Sequence, residues 1–221
     1  MKKTYRIFDI IGPRMIGPSS SHTAGAARIG LIANRLVRGD IKRAQVTLYE
    51  SFATTGRGHG TDRALAGGLL GFPPDDERLR DSLTYAERAG IEISFVFSDQ
   101  PAPHPNTARI FLEKRDGETL DVLGASVGGG NIEILEIDGM EVSFSCNYPT
   151  LLVFHRDVPG AIQRVSGILA DSGINIAFMK VFRTARNADA CMVIEMDGSP
   201  PRGLVAHLMA EAPEIRRACV L

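Results

Sequence analysis

The 221-residue sequence predicts an α+β protein of two domains: a mixed α/β region over residues 1–147 and a βαββαβ, ferredoxin-like unit over residues 148–221. Two observations carry that prediction. Up to residue 147 stretches of helical and of alternating periodicity follow one another without internal repeat, whereas from Tyr148 the elements run in the split-βαβ order. The length also suits one large or two small cores, with 44% hydrophobic and 23% charged residues.

Between Thr23 and Arg38, Ala24, Ala27, Leu31, Ala33 and Leu36 fall near helical spacing, and Gly39 supplies the stop. "AQVTLYESF" alternates as a strand does, "ATTGRGHGT" breaks it, and "DRALAGGLLGF" forms a second helical stretch that runs into Pro73 and Pro74. "GIEISFVFSD" is the next strand. After the proline-broken "QPAPHPNTA", three strands follow, "RIFLEK", "TLDVLGASV" and "NIEILEID", separated by the turns "RDGE" and "GGG". In the second domain "TLLVFH" is a strand and a helix runs from Pro159, at its first position, to about Ser172, with Gly173 as a left-handed stop. "INIAFMKVFRT" and "ACMVIEMD" are strands about the turn "ARNAD", and a helix from about Arg202 to Ala212 leads to the strand "IRRACVL".

Composition narrows the function classes. With 25 basic and 26 acidic residues the net charge is −1, so no global field recruits nucleic acid or an anionic membrane. No apolar run approaches the ~20 residues of a membrane span, and the start of the chain lacks the features of a cleaved signal, which predicts a cytoplasmic protein acting on a small molecule. Cys146, Cys191 and Cys219 are odd in number and widely spaced, which argues against a disulfide framework and against a four-thiolate cluster held by this chain alone.

"GPSSSHTAG" places Ser19, Ser20, Ser21, His22 and Thr23 at a helix entrance. Unsatisfied amide donors and partial positive charge make such an entrance a seat for a carboxylate, while the same residues also serve as an ordinary serine cap with surplus hydroxyls in water. His22 adds a group that orients a substrate or moves a proton near neutral pH. "GRGHGTD" sets His59 and Asp62 among glycines, either as polar contacts to a ligand or as a flexible turn with a surface histidine; its spacing is not that of a phosphate loop. "HPNT", with His104 and Asn106, and "GGGN" are weaker loop signals. In "FHRDVPGAI", His155, Asp157 and Gly160 occupy a strand-to-helix turn, where Asp157 also suits a helix N-terminus.

In this order, "GPSSSHT", "GRGHGTDRALAGGLLGF", "HPNT" and "GGGNIEI" resemble the beta subunit of the bacterial iron-sulfur-dependent L-serine dehydratases (L-serine ammonia-lyases). "LLVFHRDVPGAIQRVSGILADSGINIAFMKVFRT" is similar to an ACT domain, and the first domain also resembles the allosteric substrate-binding domain of some phosphoglycerate dehydrogenases. The resemblance implies conversion of L-serine to pyruvate and ammonia without pyridoxal phosphate. It implies a [4Fe-4S] cluster, held by an alpha subunit, whose open iron acts as a Lewis acid on the serine hydroxyl while a base removes the α-proton. It implies His22, Ser20 and His59 as catalytic residues, and Ser19, Ser21, Thr23, Asp62 and Asn106 as substrate contacts. It further implies an effector site, with L-serine as effector, at His155, Asp157, Gly160 and Asn175, and oligomers paired through the ACT domain. The competing function is a purely regulatory amino-acid-binding module. A free-standing dehydrogenase is disfavoured because no G-x-G-x-x-G follows a strand.

Overall fold

A computed structural model describes residues 14–221, which divide into two compact units between Gly139 and Met140. In the first unit a π-helical turn, Ser20–Gly25, leads into α1 (Ala26–Val37), then β1 (Ile41–Tyr49), α2 (Glu50–His59) and α3 (Thr61–Leu69). A 3-10 turn (Glu77–Asp81) and α4 (Ser82–Arg88) precede β2 (Glu92–Ser98), β3 (Thr107–Lys114), β4 (Thr119–Gly128) and β5 (Asn131–Ile137). The sheet runs β2-β1-β3-β4-β5, with β1 parallel to β2 and antiparallel to β3.

Alternation sets the buried face of β1: Ala44, Val46 and Leu48 are buried while Arg43 and Gln45 are exposed. The helix α1 lies over the sheet at Gly124, where a Cβ would come 2.9 Å from Ile29 Cγ2. Its partner α3 approaches more closely still. A Cβ on Gly68 would stand 2.1 Å from the Ala27 carbonyl oxygen, and one on Gly30 would stand 2.4 Å from that of Leu65. Gly30 and Gly68 therefore bring two helix backbones together, which no larger residue permits.

The second unit begins with β6 (Met140–Phe144) and continues β7 (Thr150–Arg156), α5 (Ala161–Asp171), β8 (Ile176–Arg183), β9 (Asp189–Met196), α6 (Leu204–Glu211) and β10 (Ile215–Val220). From β7 onward this is the expected βαββαβ order, its antiparallel sheet running β10-β7-β9-β8. Leu151, Val153, Met192 and Ile194 of the sheet pack against Val165, Leu169 and Leu208 of the helices. Among the described residues no helix is long and apolar enough to cross a membrane.

Four expectations are corrected. "ATTGRGHGT" is not a break but most of α2, because Phe52 and Gly56, one helical turn apart, are both buried against the core. Burying Phe52 contributes roughly 1.5–3 kcal/mol, which offsets the ~1 kcal/mol penalty of each of the two glycines of the helix, Gly56 and Gly58. The helix α5 begins at Ala161, not Pro159, since Gly160 at φ 88° forms its left-handed entrance. The first helical rise starts at Ser20, through the π-turn. The 3-10 turn, α4 and β6, which are short and carry little periodicity, went unpredicted.

Gly68→Ala tests the helix contact. Alanine gains up to about 1 kcal/mol of helix propensity, but backbone atoms that cannot rotate aside make overpacking cost about 1–3 kcal/mol. The expected result is a lower urea midpoint at unchanged m; an unchanged or higher midpoint would show that the helices separate freely.

Candidate active site

The site is assembled around α2, whose face Ser51, Thr55 and His59 recurs every four residues and therefore lies in one line. His22, from the π-turn, meets that line. Its Nε2 stands 2.9 Å from Thr55 Oγ1 and 3.2 Å from Ser51 Oγ. Its ring lies 5.2 Å from that of Phe52, edge to face, and 4.9 Å from that of His59. Thr55 Oγ1 in turn donates to the Ser51 carbonyl at 2.8 Å, and His59 Nδ1 stands 3.1 Å from the Thr55 carbonyl.

The hydroxyls of the π-turn divide their tasks. Ser19 caps the turn, its Oγ accepting from the His22 amide at 3.1 Å. Thr23 Oγ1 donates to the His59 carbonyl at 3.3 Å, tying the turn to the end of α2. Ser20 and Ser21 are half-buried. Gly25 must be glycine, because a Cβ there would come 2.0 Å from the buried Ser126 Oγ. The "GGGN" loop is joined to α1 by Arg28, whose Nη1 donates to the Gly130 carbonyl at 2.9 Å.

The "HPNT" loop acts on the backbone. The Pro105 carbonyl accepts from Ser51 N at 2.9 Å and Phe52 N at 3.3 Å, taking up amides that the start of α2 leaves open. His104 Nδ1 accepts from Asn106 N at 3.1 Å, and its carbonyl accepts from Thr107 Oγ1 at 2.6 Å, so His104 shapes the loop. Asn106 Nδ2 donates to the Ser126 carbonyl at 3.4 Å, while its Oδ1 is buried without a partner among the described residues. Asp62, in the first turn of α3, accepts from the Arg63 amide at 2.8 Å.

Beside His59 opens a cavity of about 310 Å³, lined among others by Thr23, Gly60, Arg57, Arg63 and Arg80. Among the described residues none of these three arginines takes part in an ion pair. Arg57 rests on the ring of Phe97, 4.5 Å from its centroid. Such a lining attracts an anion of carboxylate size. Sequence reasoning missed Ser51 because it fell in the stretch read as a strand, and Thr55 and Arg57 because they fell in the stretch read as a break, while Arg63 and Arg80 carry no motif of their own; read as a helix, S51-x3-T55-x3-H59 is a visible signal.

Burial holds His22 below the ordinary imidazole range, and charge on His59 presses it lower; the Ser51 carbonyl partly opposes both. Two imidazoles this close resist sharing positive charge, so His22 stays neutral.

In the second unit His155, Asp157 and Gly160 share the β7–α5 turn. His155 is buried, with Nδ1 2.8 Å from the Arg156 carbonyl and Nε2 unpartnered among the described residues. Asp157 Oδ2 accepts from Asn187 N at 3.2 Å and Arg183 Nη1 at 3.1 Å, and the Asn187 amide foremost holds its carboxyl below the usual range. Asn175 stands elsewhere. It precedes β8, donates to Asp197 Oδ2 at 2.5 Å, and lies the length of that strand, roughly 25 Å, from the Arg183 end that meets Asp157.

Comparison with known proteins places the chain in a family. Residues 6–89 match the family model of the serine dehydratase beta chain, and residues 149–206 match that of the ACT domain. The chain is 49% identical over 191 residues to a probable L-serine dehydratase, beta chain, of Bacillus subtilis (strain 168), covering 86% of each. It is 38% identical over 194 residues to the L-serine dehydratase, beta chain, of Peptoniphilus asaccharolyticus, covering 87% of each. It is also 26% identical over 189 residues to a D-3-phosphoglycerate dehydrogenase of Synechocystis, spanning 83% of this chain and 33% of that one.

The state of His22 makes stability depend on pH. Its folded-state pKa lies below the ordinary 6.5, so on acidification the unfolded chain takes the proton first and the fold loses stability. Between pH of about 7.5 and about 5.5 the wild-type unfolding midpoint should fall more steeply than that of His22→Gln. Parallel profiles would contradict the assignment.

Proposed function

Because this chain belongs to the serine dehydratase beta-chain family, we propose that it supplies the carboxylate-binding and proton-moving half of an L-serine dehydratase completed by an alpha chain. The observation that carries the reading is His59, with the His22 ring against it, at a cavity lined by three arginines that take part in no ion pair among the described residues.

The cluster belongs to the alpha chain in this reading, because the residues of this one do not fit it. Among the described residues no group of three or more His, Cys, Asp or Glu could hold a metal ion. Cys191 and Cys219 are buried, and burial, with Cys219 nearby, pushes the Cys191 thiol up to about 12, far from the thiolate a metal needs. What remains to this chain is binding and proton transfer. The substrate carboxylate faces Arg57, Arg63 and Arg80, Ser20, Ser21 and Thr23 contact its polar groups, and His59 takes the α-proton. The released electron pair forms the Cα–Cβ double bond as the β-hydroxyl departs, and the proton held by His59 joins that hydroxide, so that one water leaves in all. The aminoacrylate tautomerises and hydrolyses to pyruvate and ammonia.

The second unit takes the regulatory role, with L-serine as effector at the turn of His155, Asp157 and Gly160. Asn175, at the far end of β8, contributes only from a second copy. The edge strand β8 supports such pairing, since it exposes Phe178 and Val181. The competing reading, a purely regulatory module, rests on the ACT match.

The test is anaerobic: this chain is mixed with a cluster-loaded alpha chain and L-serine, and pyruvate is followed, each chain alone serving as control. Turnover in the mixture only is expected. His59→Gln should lower kcat by about 10²–10⁴, the range of a general base, whereas Arg63→Gln should chiefly raise KM. Serine binding to this chain alone, without turnover in the mixture, would favour the regulatory module.

A further inference from the structure

We infer that Thr55 is the positioning residue that fixes the tautomers of both histidines, placing the ring proton of His22 on Nε2 and that of His59 on Nδ1. The assignment follows from counting protons. A threonine hydroxyl has one hydrogen, and Thr55 Oγ1 gives it to the Ser51 carbonyl at 2.8 Å. Only lone pairs then face His22 Nε2 at 2.9 Å, so the ring supplies the proton of that bond. Ser51 Oγ, at 3.2 Å, accepts from the same N–H.

The other side of His22 agrees. Ser19 Oγ accepts from the His22 amide at 3.1 Å, which leaves its own hydrogen for Nδ1 across a long 3.5 Å contact. A neutral His22 with Nε2–H and a bare Nδ1 satisfies every neighbour; the opposite tautomer would set the lone pair of Nε2 against those of Thr55.

For His59 the backbone decides. The Thr55 carbonyl, 3.1 Å from Nδ1, can only accept, so Nδ1 carries the proton and the neutral ring keeps its lone pair on Nε2. One residue thus serves two rings, its hydroxyl directing His22 and its carbonyl directing His59. The helical repeat that aligns Thr55 with His59 makes this possible. The consequence for catalysis rests on the reading above: a His59 held in this form keeps Nε2 ready to accept the α-proton, while His22, locked and neutral, adds no competing charge.

Ring nitrogen spectra of the full-length chain, labelled with ¹⁵N, separate the two effects. Wild type should show His22 as the Nε2–H form and His59 as the Nδ1–H form. Thr55→Val, which removes the hydroxyl and keeps the shape, should release His22 into a mixture while leaving His59 unchanged, because its partner is backbone. Thr55→Ser should restore the wild-type pattern. His22 found as Nδ1–H in wild type, or held unchanged in Thr55→Val, overturns the inference, and the wild-type spectrum alone decides if the valine variant does not fold. Assay of Thr55→Val with the alpha chain is the separate readout. Tautomer release without any loss of turnover upholds the inference and shows that the tautomer of His22 has no part in the proposed reaction, leaving the role of His59 as it stands.

Discussion

The site depends on one corner of the chain, where β1 ends and α2 begins at Glu50. Glu50 sits at φ 42°, a left-handed conformation that costs a side-chain-bearing residue of order 1 kcal/mol or more. Three hydrogen bonds offset that cost: Ala102 N to Glu50 Oε1 at 3.0 Å, and the amides of Ser51 and Phe52 to the Pro105 carbonyl. Burial of Phe52 completes the anchor. Only with α2 set at this angle do Ser51, Thr55 and His59 form a row against His22. The proline-rich loop, which carries a histidine and an asparagine that look chemical in the sequence, is therefore largely a latch on that helix.

Long, strongly patterned elements were legible in the sequence. The βαββαβ order of the second unit, α1 with its stop, and the strands β1 to β5 all follow from periodicity and turn residues. What escaped was decided by tertiary contact. In α2, two threonines and two glycines speak against a helix locally, and the contrary evidence is one buried phenylalanine and one buried glycine. The same misreading hid part of the site. Ser19, His22, Thr23 and His59 were each singled out as residues, but of their partners Ser51 lies at the end of the stretch read as a strand and Thr55 in the stretch read as a break. Asn175 shows the opposite limit: proximity to a motif in sequence says little once a strand carries the residue to the far end of its sheet.

Charge is distributed with similar economy. The chain as a whole is nearly neutral at −1, and several cations pair with acidic neighbours, as in Arg109 with Asp121 at 2.9 Å and Glu136 at 2.5 Å. Against that background Arg57, Arg63 and Arg80 form a local positive field at the cavity mouth. Burial holds His22 neutral next to it. A site of this kind offers positive charge to an anion without storing a second buried charge beside it, since burial favours the neutral form of His22.

The central claim is that this cavity is half of an active site. A structure of the chain assembled with its alpha partner and an unreactive L-serine analogue tests it most directly. The account predicts the analogue's carboxylate among Arg57, Arg63 and Arg80 and its α-carbon hydrogen within reach of His59 Nε2. An analogue bound away from His59, with the arginine cavity facing solvent, would contradict it.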